Sequence, residues 1–211
     1  LRMNPSSGNL HPTEGYLILP GIEGINKLPG VYHYAPKEHG LEKRAEFPKE
    51  LWSYLPEDIF IVGLTSIYWR EAWKYGERAF RYCQHDCGHA YMALNVAARM
   101  LGWRIDLLLG IADESITQLL GLYRDGEFKE LEEERPELLA VVTLNPKNSQ
   151  MMPDIHQDFI QGVASSAWYG KANQLSADHY KWDIIDEAHQ ASIKPETEPS
   201  TFIAAPEFSN P

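Results

Sequence analysis

An apolar stripe with helical spacing runs through the middle of the chain. Its members follow one another at alternating intervals of three and four residues: Phe80, Cys83, Cys87, Ala90, Leu94, Ala97 and Leu101. This spacing predicts one face of a long helix, and Gly102 is a typical stop signal after it. The chain is therefore expected to contain a long helix with one face buried in a core.

Strand-like patterns lie on both sides of this predicted helix. They cover residues 15–19, 30–34, 58–64, 104–109 and 139–144. Pro48–Trp52 and a segment from Asp113 to near Gly121 are typical of short helices. Because strands and helices mix without regular βαβ alternation, we expect an α+β fold with a mixed sheet flanked by helices.

Composition excludes several classes of function. The 211 residues carry 30 acidic and 19 basic side chains, and a net charge of −11 argues against nucleic-acid binding and against a basic membrane patch. No apolar run reaches the roughly 18 residues that span a bilayer. Two cysteines cannot form a disulfide scaffold, so the cytoplasm is the expected compartment.

The regular pattern of elements ends shortly before residue 150. We predict a domain over residues 1–148, followed by connector helices and a proline-rich tail over residues 149–211. Within the domain, the acidic stretch Glu127–Glu137 is interpreted as a solvated face.

Cys83, His85, Cys87 and His89 form a Cys-x-His-x-Cys-x-His pattern that invites a metal-site interpretation. On a helix, positions two apart point in different directions, so the two cysteines and the two histidines cannot converge on one ion. The cysteines also belong to the apolar stripe. We therefore predict core packing and no metal site, and a two-ligand site at His85 and His89 stays open as an alternative.

A loop at the start of the chain combines small, polar and rigid residues. Its candidate ligand-binding residues are Arg2, Pro5, Ser6, Ser7, Gly8 and Asn9. Small residues let a ligand approach the backbone, and hydroxyl and amide groups supply directed hydrogen bonds. Such a loop suits a polar ring edge, such as a flavin pyrimidine or a nucleobase. A plain surface turn is the alternative.

Residues 69–82 are dense in aromatic and cationic side chains. A lysine beside apolar rings, such as Lys74, can lose proton affinity and act as a base, and Tyr75 beside it can donate a proton. The alternative is a helix entry in which the cations stack on rings or pair with Glu71 and Glu77. Spacing alone does not separate the two interpretations.

Together these segments resemble the SagB-type dehydrogenases of the FMN-dependent nitroreductase superfamily. The matching residues are Arg2, Pro5-Ser6-Ser7-Gly8-Asn9, Pro12, Glu14, Gly30-Val31-Tyr32-His33-Tyr34, the run Lys74–Tyr82, Asp86, Gly88-His89, Asn95 and Leu101-Gly102. They keep the family's order over about residues 1–145.

The resemblance implies a nitroreductase-like fold that binds FMN, in a homodimer or a tandem pseudo-dimer. It implies that Arg2, Pro5, Ser6, Ser7, Gly8 and Asn9 contact the cofactor, with Lys147 as a weaker phosphate contact. Lys74 and Tyr75 match a catalytic Lys-Tyr pair, with Lys74 as base and Tyr75 assisting. The family's N-terminal helices and Arg-rich phosphate segment are not in this sequence, so we expect an excerpt of a longer protein.

Two functions from different classes follow. The first is an FMN-dependent oxidoreductase that either dehydrogenates azoline-type residues of a peptide or reduces small molecules with NAD(P)H, as nitroreductases do. The second is a non-catalytic flavin-fold scaffold or peptide-binding module, which the absent phosphate segment favours.

Overall fold

The computed structural model describes residues 2–124, 132–146, 154–172, 175 and 180–198. Its centre is a seven-stranded sheet in the order β5-β6-β4-β1-β2-β3-β7. The strands are β1 Thr13–Leu19, β2 Gly30–Ala35, β3 Gly40–Glu46, β4 Ile59–Ser66, β5 Arg104–Leu107, β6 Arg135–Thr143 and β7 Ala167–Trp168. The α+β class is as predicted. The expected mixture of strand directions is not present, because every pair of these strands is antiparallel.

Six helices surround this sheet in the described part of the chain. They are α1 Lys49–Trp52, α2 Trp69–Tyr75, α3 Ala79–Met100, α4 Asp113–Leu120, α5 Gln157–Ala164 and α6 Asp183–Ser192. The long helix predicted from the apolar stripe is α3. Its last turns differ from the prediction, because Ala98 is buried there whereas Ala97 and Leu101 are exposed.

The two faces of the sheet pack against different helices, since successive side chains of a strand point to opposite sides. Tyr16 and Ile18 of β1 face a core that α1, α4 and α5 complete. Leu17 and Val62 face the other side, where α3 packs with Leu94 and Ala98. The sheet is therefore the middle layer of three.

A smaller apolar cluster joins α2, α3 and α6 at one end of the molecule. Tyr68 and Ala72 pack there with Cys83 of α3 and Ile185 of α6. Cys83 and Cys87 are buried free thiols, as the helical spacing predicts for core cysteines. This cluster fixes α2 against the long helix.

The chain beyond residue 148 contributes to the same core. Phe159 of α5 is fully buried and meets Phe47 and Trp52 edge-on, and β7 extends the sheet beside β3. The domain boundary at residue 148 stays a prediction, but α5 and β7 pack as parts of the folded unit.

The acidic stretch before β6 differs from its interpretation as a solvated face. Of its described residues, Glu132 and Glu134 are buried. Glu134 accepts hydrogen bonds from the Tyr16 hydroxyl at 2.6 Å and from the Thr65 hydroxyl at 2.9 Å. These hydrogen bonds offset the cost of burying the Glu134 carboxyl group. Because Tyr16 and Thr65 are far from Glu134 in sequence, the local charge pattern does not predict them.

Candidate functional site

The loop before β1 and the helix after β4 meet at one end of the sheet. Thr13 at the start of β1 is paired with Ser66 at the end of β4, and the Ile67 amide donates a 2.9 Å hydrogen bond to the Pro12 carbonyl. The sheet thereby brings residues 5–12 next to α2. These are the two segments in which the sequence predicts ligand-binding and catalytic residues.

The loop has an unusual backbone conformation. Gly8, Asn9 and His11 have φ angles of 57°, 60° and 52°. Residues other than glycine rarely adopt such angles, and they cluster at functional sites when the surrounding structure enforces them. The Asn9 amide oxygen and His11 Nε2 lie 2.9 Å apart, a contact that links the two positive-φ side chains.

Asp86 of α3 is the anchor of this loop. Its carboxylate is fully buried and accepts a 2.5 Å hydrogen bond from the Ser6 hydroxyl and a 3.0 Å bond from the Ser7 amide. Ser6 in turn accepts a hydrogen bond from the His11 amide at 2.8 Å. These donors satisfy the buried carboxylate, so Asp86 holds the loop on the long helix.

The sequence already indicates this role, because Asp86 is a charged residue at a position of the apolar stripe. Asp86 lies three residues after Cys83 and four before Ala90, so it is on the buried stripe of α3. A charged residue at such a position needs partners from elsewhere in the chain.

The predicted pair Lys74 and Tyr75 lies against the same loop. A Cβ atom placed on Gly8 would be 2.6 Å from the Tyr75 hydroxyl oxygen and 2.8 Å from Lys74 Nζ. The Lys74 ammonium also lies 5.4 Å from the centre of the Tyr75 ring. Thus both polar groups occupy the open side of Gly8, and the structure brings together two motifs that are far apart in sequence.

The sequence predicts that Lys74 of α2 is desolvated, but Glu71 of the same helix is buried instead. The Lys74 side chain is exposed, so neighbouring rings do not desolvate it as the prediction requires. Glu71, one turn earlier, is fully buried. Neither of its carboxyl oxygens has a hydrogen-bond partner among the described residues, so the alternative pairing of Glu71 with a cation is not formed. Burial, and then the negative charge of Asp86, raise the pKa of Glu71 to about 7, against a smaller opposite effect of Lys74.

Arg2 belongs to a second charged cluster around Glu14 of β1. Its guanidinium lies 3.1 Å from Glu14, Arg70 of α2 donates to the same carboxyl oxygen, and His33 Nε2 lies 2.6 Å from the other. Burial by itself raises the pKa of Glu14, but the hydrogen bond with His33 and the charges of Arg70 and Arg2 outweigh it. The pKa of Glu14 is therefore lowered to about 2.

The predicted cofactor residues thus divide into three groups. Pro5, Gly8 and Asn9 form the exposed surface of the loop, whereas the Ser6 and Ser7 side chains bind Asp86. Arg2 is paired with Glu14. Lys147 lies outside the described residues.

The exposed surface of the loop fits the ring of a flavin. The exposed backbone of Pro5, Gly8 and Asn9 lets a flat ring approach the loop, and the Lys74 ammonium and Tyr75 hydroxyl packed against Gly8 are donors for its polar atoms. The phosphate group of FMN would need cations to bind it, but Arg2 and Arg70 are both paired with Glu14. The described residues would therefore suit contacts with a flavin ring, and a phosphate would need other cations.

The metal-like pattern on α3 shows two different environments. His85 and His89 are exposed, and Cys83 and Cys87 are buried. Among the residues that the structure describes, no group of three or more histidine, cysteine, aspartate or glutamate side chains is arranged to hold a metal ion. Within the same part of the chain, no helix is both long and apolar enough to cross a lipid bilayer.

Sequence comparisons give related proteins over more than half of the chain. A sequence model described as the nitroreductase family matches residues 1–131. The chain is 29% identical over 135 residues to MJ1384 of Methanocaldococcus jannaschii, a protein named as a nitroreductase, which covers 60% of this chain and 61% of the relative. It is 28% identical over 130 residues to the trifolitoxin-processing protein TfxB of Rhizobium leguminosarum bv. trifolii, covering 56% of this chain and 35% of TfxB.

Solved structures share the fold. A protein from Anabaena variabilis described as a nitroreductase aligns with a TM-score of 0.61 and 23% identity, over 96% of this chain and 39% of that one. A chain of the E. coli microcin synthetase McbBCD complex, with truncated pro-MccB17 bound, aligns with a TM-score of 0.53 and 22% identity, over 68% and 55%. The present chain spans less than two thirds of the length of each of these relatives.

Proposed function

Because the chain belongs to the nitroreductase family, we propose that it forms the flavin-binding part of an FMN-dependent oxidoreductase of the SagB type. The observation that carries the proposal is the contact of Lys74 and Tyr75 with Gly8 of the loop. A base and a proton donor beside an exposed loop that can contact the flavin ring are what transfer of a hydride and a proton requires.

Each residue has a role that follows from its position. Gly8, with Pro5 and Asn9 beside it on the exposed side of the loop, would hold the flavin ring. Bound FMN supplies a two-electron acceptor or donor for a hydride. Lys74 takes the substrate proton as a base, and the Tyr75 hydroxyl donates a hydrogen bond that steadies the charge forming on the substrate.

The substrate we favour is a peptide that carries an azoline-type ring. Oxidation of such a ring removes two hydrogens, one as a proton to a base and one as a hydride to the flavin. The position of Lys74 beside the exposed loop suits this division of the two hydrogens. The processing role in the name of the relative TfxB supports a peptide substrate. Reduction of a small molecule with NAD(P)H as electron donor is the alternative within the same class.

The first test measures flavin binding. Titration of the purified protein with FMN, followed by visible absorption and by quenching of flavin fluorescence, is expected to give saturable binding. If no flavin binds to the protein in its natural full length, the oxidoreductase proposal is overturned.

The second test separates chemistry from binding. Lys74→Ala is expected to abolish oxidation of an azoline peptide, by at least about 100-fold in kcat as for loss of a general base, while FMN still binds. Lys37→Ala is the matched control, because Lys37 is exposed on the turn between β2 and β3. Unchanged turnover in the Lys74 variant would remove the base from the proposal.

A second candidate function rests on the arginines. Since Arg2 and Arg70 both bind Glu14, the site could serve as a scaffold or peptide-binding module without flavin. This candidate predicts peptide binding with no flavin binding, so the FMN titration distinguishes the two.

We also propose that the site works next to a second domain of the same kind, from another copy or from the same polypeptide. The 39% coverage of the Anabaena chain, against 96% of this one, supports a larger arrangement. Light scattering on the natural protein is expected to give either a dimer or a chain long enough for two such domains. A cytoplasmic location remains part of the same proposal.

A further inference from the structure

The candidate site has two halves that are fixed to the fold by different contacts. The loop that carries Gly8 is bound to α3 through the Asp86 carboxylate. Lys74 and Tyr75 belong to α2, which makes its own contacts with the loop and with β1. The distance between the Lys74 ammonium and a ring bound on the loop therefore depends on the side chains that join α2 to the loop.

Arg70 of α2 contacts both the loop and β1. One nitrogen of its guanidinium group, Nη1, donates to a carboxylate oxygen of Glu14 and lies 3.4 Å from the carbonyl oxygen of His11. Both Arg70 and Glu14 are buried. Arginine keeps its charge at every pH at which the protein is folded, and the pKa of Glu14 is lowered to about 2, so the pair stays ionised across the neutral range.

Arg70 and Lys74 lie on the same face of α2. Positions four apart on a helix are neighbours, with about 6 Å between them along the helix axis. The face that Arg70 holds against Glu14 is therefore the face from which Lys74 reaches Gly8. Movement of this turn of α2 away from the loop would displace Lys74 and Tyr75 together.

Stability alone does not account for an arginine at this position. A buried ion pair is a poor stabiliser, because well-packed apolar residues of similar volume are often equally stable or more so. The Arg70 Nε adds to the cost, since it is buried and has no hydrogen-bond partner among the described residues. Glu14 also has Arg2 and His33 as partners, so cations remain beside its carboxylate without Arg70. What Arg70 adds is a directed link between α2 and the loop.

We propose that Arg70 is a positioning residue for the reaction: its ion pair with Glu14 holds the turn that carries Lys74 and Tyr75 at a fixed distance from a ring bound on the loop. The proposal rests on the proposed function for the roles of Lys74 and of the loop. Arg70 acts through α2 and is not a reacting group, because the contacts of its Nη1 are with Glu14 and His11.

Kinetics separate positioning from binding. Arg70→Gln is expected to lower kcat by about 10- to 100-fold, since small misplacements of a reacting group have effects of this size. The affinity for FMN and the KM for the peptide are expected to change by less than about 3-fold, because Asp86 still holds the loop.

Two further variants complete the kinetic test. Arg70→Lys keeps a cation beside Glu14 and is expected to recover most of the lost kcat. Arg99→Gln is the control, because Arg99 is exposed in the last turn of α3. An unchanged kcat in Arg70→Gln overturns the proposal, and so does a loss of FMN affinity that accounts for the whole effect.

A second measurement needs neither flavin nor turnover. Hydrogen–deuterium exchange of the flavin-free protein is expected to be faster over residues 69–76 in Arg70→Gln and unchanged in β4 and in α3. Arg2→Gln is the matched control, because Arg2 pairs with the same oxygen of Glu14 but does not belong to α2. In this control, exchange in α2 is expected to stay as in the wild type.

Two exchange patterns would contradict the role of Arg70. They are unchanged exchange in α2 of Arg70→Gln, and equally faster exchange over the whole described fold, which would indicate a general loss of stability. If none of these proteins binds FMN while α2 alone exchanges faster in Arg70→Gln, the proposed function is wrong and the link between α2 and the loop is confirmed.

Discussion

Glu14 and Glu71 are the same residue type, equally buried and with opposite behaviour. Glu14 is 3% exposed and sits among Arg2, Arg70 and His33, which lower its pKa to about 2. Glu71 is 0% exposed, has no hydrogen-bond partner in the described part of the chain, and has a pKa of about 7. Burial alone therefore does not decide the state of a carboxyl group. Partners make Glu14 a permanent anion that holds elements together, and their absence leaves Glu71 able to exchange a proton.

The largest effect is expected from Glu14→Gln. Removing the carboxylate takes the shared counter-ion from buried Arg70 and partly buried Arg2, and the 2.6 Å partner from His33 Nε2, which costs roughly 3–5 kcal/mol. Urea denaturation at pH 7 measures the free energy of unfolding. Glu71→Gln serves as the comparison, because an amide replaces a carboxyl that has no partner. A loss in Glu71→Gln as large as in Glu14→Gln would remove the distinction between the two sites.

The pH dependence of stability should have opposite signs at the two residues. Folded Glu71 keeps its proton up to a pKa of about 7, whereas the unfolded chain loses it near 4.5, so stability falls as pH rises through this window. The loss is roughly 3 kcal/mol by the usual conversion of a pKa difference. Glu14 does the reverse, since its stabilisation is lost as pH falls from about 4.5 to 2. Unfolding measured from pH 4.5 to 8 should flatten in Glu71→Gln; an identical slope in wild type and variant would contradict the assignment.

A smaller effect is expected from Gly8→Ala. Gly8 lies against Lys74 and Tyr75 at the end of α2, the helix that carries Glu71. The φ angle of 57° disfavours any side chain, and the new methyl group would meet Tyr75 and Lys74. We expect a loss of roughly 1–2 kcal/mol in stability and weaker FMN binding. Gly40→Ala is the control, because a Cβ at Gly40 meets nothing within 4 Å. Equal effects of the two substitutions would argue against a contact of Lys74 and Tyr75 with the loop.

The smallest effect is expected from Glu42→Gln. Glu42 lies 3.0 Å from His33 Nδ1, but its side chain is 57% exposed. Exposed ion pairs contribute about 1 kcal/mol or less, so the free energy of unfolding should change within that limit. A loss approaching that of Glu14→Gln would mean that His33, and not the arginines, controls the cluster.

Periodicity in the sequence predicts the framework of the fold well. The helix α3 and the buried strands β1, β4 and β6 follow from runs of apolar residues, because these runs pack on the core. The sequence does not predict the strand β3, because Glu42 and Lys43 are exposed and give no alternation. The two-residue strand β7 is too short for a pattern.

The site is less predictable, and the reason is distance along the chain. The sequence predicts Lys74 and Tyr75 on one segment and Gly8 on another, but only the pairing of β1 with β4 brings them together. Asp86 and Glu71 differ in role because Asp86 accepts hydrogen bonds from the loop, whereas Glu71 has no hydrogen-bond partner among the described residues. The sequence shows that both residues are acidic, but it does not show which groups bind their carboxylates in the folded protein.

The position of β6 has a consequence for how the chain is made. The strand lies between β4 and β5, and Ile59 of β4 faces Thr143 of β6 in the register. During synthesis from the N-terminus, β4 and β5 therefore emerge long before the strand that joins them. Until Arg135–Thr143 has left the ribosome, the edges of β4 and β5 that pair with this strand in the sheet are open to other chains. The nascent protein is expected to need chaperone protection during this interval, because β4 and β5 lack their shared partner until β6 has been made.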